Sequence, residues 1–248
     1  MDIERMISSV ETHGLRIAEI ATGNLERQIE HCPDWNVSGV VGHIAGVYRF
    51  IAANVSNPGS DGPTMPDAED MPEGDGIVDY FTEKHGQLLT ALRAADPAAE
   101  TWNWGSGTTA DFYHRRMAHE TAIHLWDVEN AAGTAAARSE FFDADLAHDG
   151  VNEVIEVGMQ ASPRGPRDDF PAGSLHLHRT DGDGEWMLAA TDGVLAVTQE
   201  HGKGDAAVRG TASALYLYMW SRVAADDTAT IETFGDQSLV EAWSQVSP

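Results

Sequence analysis

The stretch from Phe112 to Asp127, FYHRRMAHETAIHLWD, gathers three histidines, a glutamate and an aspartate into a segment with helical character. His119 and Glu120 invite comparison with the HExxH helix, in which two histidines four residues apart grip one zinc ion. The position four beyond His119 is Ile123, and the next histidine is His124. At about 100° per residue, His119 and His124 point roughly 140° apart and cannot share an ion from one regular helix. Glu120 and His124 are four apart, lie within roughly 40° of each other one turn up, and can grip one metal together. A catalytic zinc takes three protein groups and keeps a fourth position open for water or substrate, so a third ligand must come from elsewhere.

His43 is the natural candidate, because Val40, His43, Ile44, Val47, Phe50 and Ile51 recur at helical spacing and form one stripe. Asp127, three residues beyond His124, is placed to accept the other imidazole N–H and fix its tautomer. Arg116 precedes Glu120 by one turn and can face the same cavity. Spacing alone also fits hydrogen-bonded core residues for each of these side chains. His176 and His178 alternate with Leu175 and Leu177, so both are expected on the far face of a strand, in solvent rather than on a metal. Cys32, beside Pro33 in a turn, has no base placed to activate it and reads as structural.

These residues need elements to hold them. A helix, or two short ones broken at Gly14, is expected from Asp2 to about Glu30. A second, capped by Asn36, runs from Val37 to about Asn54, a third from Gly76 to Asp96, and a fourth from about Thr109 to Ala132, stopped by Gly133. Residues 56 to 76, rich in Pro, Gly and acid, form a long surface loop. Four amphipathic helices with one long crossover describe a bundle whose interior can hold a site. A fifth helical stretch from Asp143 to about Gln160 leads to ASPRGPRDDFPAGS, where Pro, Gly and charge replace any period. The expected division is therefore 1–162, a helical bundle, and 163–248, an α+β domain. In the latter the period changes to two: SLHLHRT and EWMLAAT flank the turn Asp181 to Gly184, GVLAVTQ and DAAVRG follow, and an apolar helix, the strand ATIETF and a closing helix complete it.

Composition bounds the rest. The 248 residues, 42% apolar with seven Trp, can fill a core, and 15 basic against 40 acidic residues give a net charge of −25, which repels nucleic acid and anionic membranes. No apolar run nears the roughly 20 residues that cross a bilayer, and the charged N-terminus lacks a signal-peptide core, so a cytoplasmic location is expected. A single cysteine excludes an internal disulfide and a Cys-rich metal site.

The stretches His31-Cys-Pro-Asp-Trp35, Val41-Gly-His-Ile-Ala45, His119 to Gly133 and Asp149-Gly-Val-Asn-Glu153 resemble the mycothiol-dependent maleylpyruvate isomerase family, one of the DinB-like metal-binding bundles. The resemblance spans nearly the whole chain and implies a DinB-like four-helix bundle followed by a small, sterol-carrier-like α+β domain. It implies His43, Glu120 and His124 as metal ligands, most simply for Zn2+, with nickel, iron or manganese as other fits to the same donors. It also implies Arg222, near the end of the C-terminal apolar helix, as a catalytic residue, although Ser221 stands where relatives commonly have Gly. The implied cofactors are a divalent metal and mycothiol or a similar low-molecular-weight thiol. The implied activity is cis–trans isomerisation of a small electrophile, by thiol addition to its double bond, rotation and elimination, or S-transfer when elimination is omitted. An arginine near the substrate carboxylate or developing enolate would stabilise the charge. Metal-assisted hydrolysis and a non-catalytic ligand-binding role are the competing readings. Expected partners are the thiol and the substrate, with no nucleic acid or membrane, in a monomer or homodimer.

Overall fold

The computed structural model describes residues 1–105, 107–160 and 167–246, and two compact units follow one another, Met1–Ala135 and Ala136–Pro248. The first contains α1 (Ile3–Ala21), α2 (Val37–Val55), α3 (Gly76–Ala94) and α4 (Asp111–Ala132). Capping chemistry sets the ends as expected: Asn36 Oδ1 accepts from Gly39 N at 2.9 Å, and α4 stops at Gly133, whose φ is 74°. Two starts and stops differ from expectation. α1 is unbroken at Gly14, where a side chain would collide with the His85 ring, and it ends at Ala21, before Gly23 with φ 81°. α4 begins two residues later than expected, because Thr109 is held in a β-bridge to Glu100 and Ala110 N donates to Ala99 O at 3.0 Å.

α1 packs chiefly on α4 and α2 on α3, while α2 and α4 meet more loosely. The core is built from Val10, Ile17, Val40, Ile44, Tyr48, Ile51, Phe81, Leu88, Tyr113 and Ile123, each 0% exposed. The acidic loop after α2 is pinned rather than loose: Asn54 exchanges hydrogen bonds with Thr64, and Glu69 pairs with Arg49 and with Lys84. The turn WNWGSGT packs Trp104 edge-on against Phe112, with ring centroids 4.8 Å apart; its Ser106 lies outside the described residues.

The second unit opens with α5 (Ala144–Glu153), capped by Asp143 and prolonged by a π-helical turn, Val154–Gln160. A five-stranded sheet follows in the order β3-β2-β1-β4-β5, from β1 (Leu175–Arg179), β2 (Glu185–Thr191), β3 (Val194–Thr198), β4 (Ala206–Gly210) and β5 (Glu232–Gly235). Only β1 and β4 are parallel. Register aligns Leu175 with Leu188 and Ala206, and Leu177 with Trp186 and Val208, giving a continuous apolar face. The wholly buried α6 (Ala212–Met219) packs on α5 and reaches the sheet at β1 and β4, and α7 (Gln237–Ser244) closes the chain. The expected boundary between residues 162 and 163 lies outside the described residues. The two compact units part after Ala135, and α5 packs on α6 within the second. No described helix is long and apolar enough to cross a membrane.

Candidate metal centre

From Met117 to Glu129 every residue of α4 is buried, so each polar side chain there requires a partner. Thr121 Oγ1 lies 2.8 Å from the Tyr48 hydroxyl, and burial raises that phenol's pKa. Glu120 Oε1 stands 3.1 Å from His43 Nε2 and 3.4 Å from His124 Nε2, while Arg116 Nη2 donates to Glu120 Oε2. His124 Nδ1 is 3.0 Å from Asp127 Oδ2, whose side chain is 0% exposed. The expected ligands His43, Glu120 and His124 thus meet, with donor atoms all within 4.8 Å of one another.

The electrostatics follow from this packing. Burial alone would raise the Glu120 carboxyl, yet the Arg116 guanidinium and the two imidazoles hold it well below the usual carboxylate range. Burial opposes a charge on His124, but its bonds to Asp127 and Glu120 prevail and raise its pKa to about 9. Two imidazoles and one carboxylate suit zinc, and donors of a tetrahedral zinc lie about 3.3 Å apart given bonds of about 2.0 Å. The distances of 3.1 and 3.4 Å match that spacing, so the residues fit a divalent ion.

Three details differ from the helical-stripe reading. The buried face of α2 runs through Val37, Val40, Val41, Ile44, Ala45, Tyr48 and Ile51, whereas Val47 and Phe50 are only half-buried. His43 lies at the edge of that face with 35% of its side chain exposed, which leaves the centre reachable from outside. Trp35, which spacing did not single out, packs its ring 4.7 Å from His43 and 6.4 Å from His124. A tryptophan directly before a helix cap, upstream of a candidate ligand histidine, is a signal that could have drawn notice. His119 is not among the three converging donors; it lies near His13 of α1, whose pKa burial chiefly lowers to about 4.

Arg222 belongs to the second unit and is 7% exposed. Its backbone N–H donates to Leu217 O at 2.8 Å and that of Ser221 to Tyr218 O at 3.0 Å, the paired bonds of a Schellman turn closing α6. Ser221 has φ 60°, so it adopts the left-handed backbone that a glycine would take without strain, and its hydroxyl donates to Ser244 O at 2.5 Å. The departure at Ser221 therefore preserves the turn. The expectation that His176 and His178 face solvent is corrected: His176 is 5% exposed, and both imidazoles bond to Glu185, at 2.6 and 2.7 Å. A strand's second face is solvated only where nothing folds over it, and here the segment after β3 does.

Comparison with known proteins gives concordant results. Residues 11–129 match the family description "Mycothiol maleylpyruvate isomerase N-terminal domain", and residues 145–242 match the corresponding C-terminal domain. No curated protein sequence matches the chain. The crystal structure of mycothiol-dependent maleylpyruvate isomerase superposes with TM-score 0.65 at 15% identity, covering 94% of this chain and 93% of that one. A point mutant of the same enzyme superposes with TM-score 0.65 at 13% identity and the same coverage. At such identities the likeness establishes the fold.

Proposed function

The chain belongs to the mycothiol maleylpyruvate isomerase family, and on that premise we propose that it is a metal-dependent enzyme that uses a low-molecular-weight thiol of mycothiol type to isomerise or S-conjugate a small electrophile. The observation that carries this reading is the convergence of His43, Glu120 and His124 at the open edge of α2. These three side chains would hold a divalent ion, zinc first among the candidates. When bound, such an ion supplies a Lewis acid beside which a thiol ionises near neutral pH, so no protein cysteine is needed.

The surrounding residues prepare the centre. Glu120 brings the negative charge that a dication requires, and Arg116 engages the carboxylate oxygen turned away from the imidazoles, fixing its orientation. Asp127 holds Nδ1 of His124 and thereby leaves Nε2 as the donor. Trp35 covers the two imidazoles and limits water, while the exposed side of His43 admits small molecules. Arg222 is assigned to the substrate, because a guanidinium stays charged at all relevant pH and its fork matches a carboxylate. Its rigid turn at the end of α6 and its Nη1 bond to Trp220 O at 2.8 Å restrict where that fork can point.

The test is turnover of maleylpyruvate, and of a simple Michael acceptor, by purified protein with and without mycothiol. The expected result is product only when thiol is supplied, loss of activity on chelation and recovery on adding zinc. Undiminished turnover in thiol-free buffer would instead favour a hydrolase. Full metal retention in His124→Ala would sink the ligand assignment.

A further inference from the structure

A second group of imidazoles stands in the sheet unit, apart from any role given above. His176 and His178 occupy alternate positions of β1 and so share a face. Register sets His178 opposite Glu185, the first residue of β2, and leaves His176 on the diagonal. Glu185 reaches both: Oε2 lies 2.6 Å from His176 Nε2, and Oε1 lies 2.7 Å from His178 Nδ1. His201 arrives from the segment joining β3 to β4 and places Nδ1 3.1 Å from the same Oε1. That segment lies close on the sheet because of Gly204, where a Cβ would sit 2.6 Å from Ala206 O and 3.1 Å from His176 N.

Four donor atoms, three imidazole nitrogens and one carboxylate oxygen, therefore lie within 4.8 Å of one another. A carboxylate on its own needs one or two donors, and a surface ion pair does not call for three imidazoles drawn from a strand and a separate connecting segment. Three nitrogens and one oxygen make a complete ligand set for a tetrahedral ion of borderline softness. The carboxylate contacts, 2.6 Å at Oε2 and 2.7 and 3.1 Å at Oε1, would open by about 0.2 to 0.7 Å to reach the tetrahedral spacing of about 3.3 Å. A cleft of about 500 Å³ bordered by His178, Gly184, Glu185 and Gln199 gives an ion a path from solvent.

We propose that His176, His178, Glu185 and His201 form a second divalent-metal site of the zinc, cobalt or nickel class, closed by four protein ligands and serving to staple the β3–β4 segment onto the β1–β2 hairpin. The site stands on its own donors and does not depend on the activity assigned to the helical unit. It is tested on full-length, metal-stripped protein titrated with Zn2+ and, for its visible absorption, Co2+. His43→Ala weakens the bundle triad, and His201→Ala and His178→Ala weaken the sheet cluster.

The expected outcome is one high-affinity ion retained by His43→Ala, with tetrahedral cobalt bands, and at least a tenfold loss of that affinity and of those bands when His201→Ala is added. Zinc should also raise the melting temperature of His43→Ala and not that of the double variant. Because His201 is 77% exposed, its replacement leaves folding intact, and circular dichroism of the variant checks this. If the bundle triad binds nothing, wild type still takes up one ion and His201→Ala loses it. If neither His178→Ala nor His201→Ala alters zinc affinity or the cobalt bands, the proposal is overturned.

Discussion

In the helical unit, Glu120 stands between two imidazoles with only 10% of its side chain exposed, backed by Arg116 on one side and, through His124, by Asp127 on the other. In the sheet unit, Glu185 also collects imidazoles, but one of them, His201, is 77% exposed and hangs from a connecting segment. The donor chemistry is alike and the support is not. Buried charges have lost their water, so each must be compensated by a fixed neighbour, and removing one strands the others. A cluster with an exposed member keeps water as a substitute partner there and tolerates loss of that member. The helical centre is thus suited to positioning a reactant, and the sheet cluster to tying chain segments together.

The contrast can be broken or sharpened by experiment, beginning with the largest effect. Glu120→Ala removes the buried carboxylate that Arg116, His43 and His124 share, and should cost about 3–5 kcal/mol of stability while abolishing metal uptake by the triad and thiol-dependent turnover. A melting temperature within a degree of wild type would contradict the claim that this carboxylate is compensated by desolvated partners. Asp127→Asn keeps the shape but weakens the acceptor behind His124. Zinc affinity at the triad should fall about 10- to 100-fold, read most cleanly in a His201→Ala background, with little change if Asp127 only packs.

The pH dependence comes next. Metal-free protein holds the His124 proton up to about pH 9, so a metal must displace it. Zinc affinity at the triad should therefore climb about tenfold per pH unit from 7 to 9 and then level off. By the same linkage, the raised pKa stabilises the metal-free fold fully below pH 6.5, and that contribution is lost as pH rises through about 9. A flat affinity profile over this interval would mean that His124 is already neutral. The smallest effect is expected from His201→Ala without metal, which should change stability by no more than about 0.5 kcal/mol by chemical denaturation. A loss several times larger would place this loop histidine among the buried, structurally committed groups and erase the difference between the two clusters.

Much of the helical centre was legible in advance because α-helical geometry is local. Glu120, His124, Asp127 and Arg116 lie on one regular helix, so their relative directions follow from rotation per residue alone. His43 was legible by helical spacing, although the buried stripe of α2 is rotated from the one its apolar residues suggested. The resemblance to a known family named the same three candidate ligands, and Ser221 shows how a departure from its pattern can still keep the backbone, by adopting φ 60°. In the sheet cluster the burial of His176 was missed. Alternation correctly put His176 and His178 on one face, but nothing in that alternation reports that Gly204 lets a loop fold across it with His201. Pro and Gly after Gln160 mark a break in local pattern, whereas α5 is grouped with the sheet unit by what it packs against.

Residue order by itself determined the helices, the strands, the caps at Asn36 and Gly133 and the shared face of Glu120 and His124, since each depends on backbone geometry within a few residues. Only the tertiary structure decided that α2 would bring His43 to that face, that Trp35 would cover it, and that a loop would carry His201 to Glu185. Those meetings join segments far apart along the chain, and they are settled by which surfaces pack together and how closely glycine lets backbones approach.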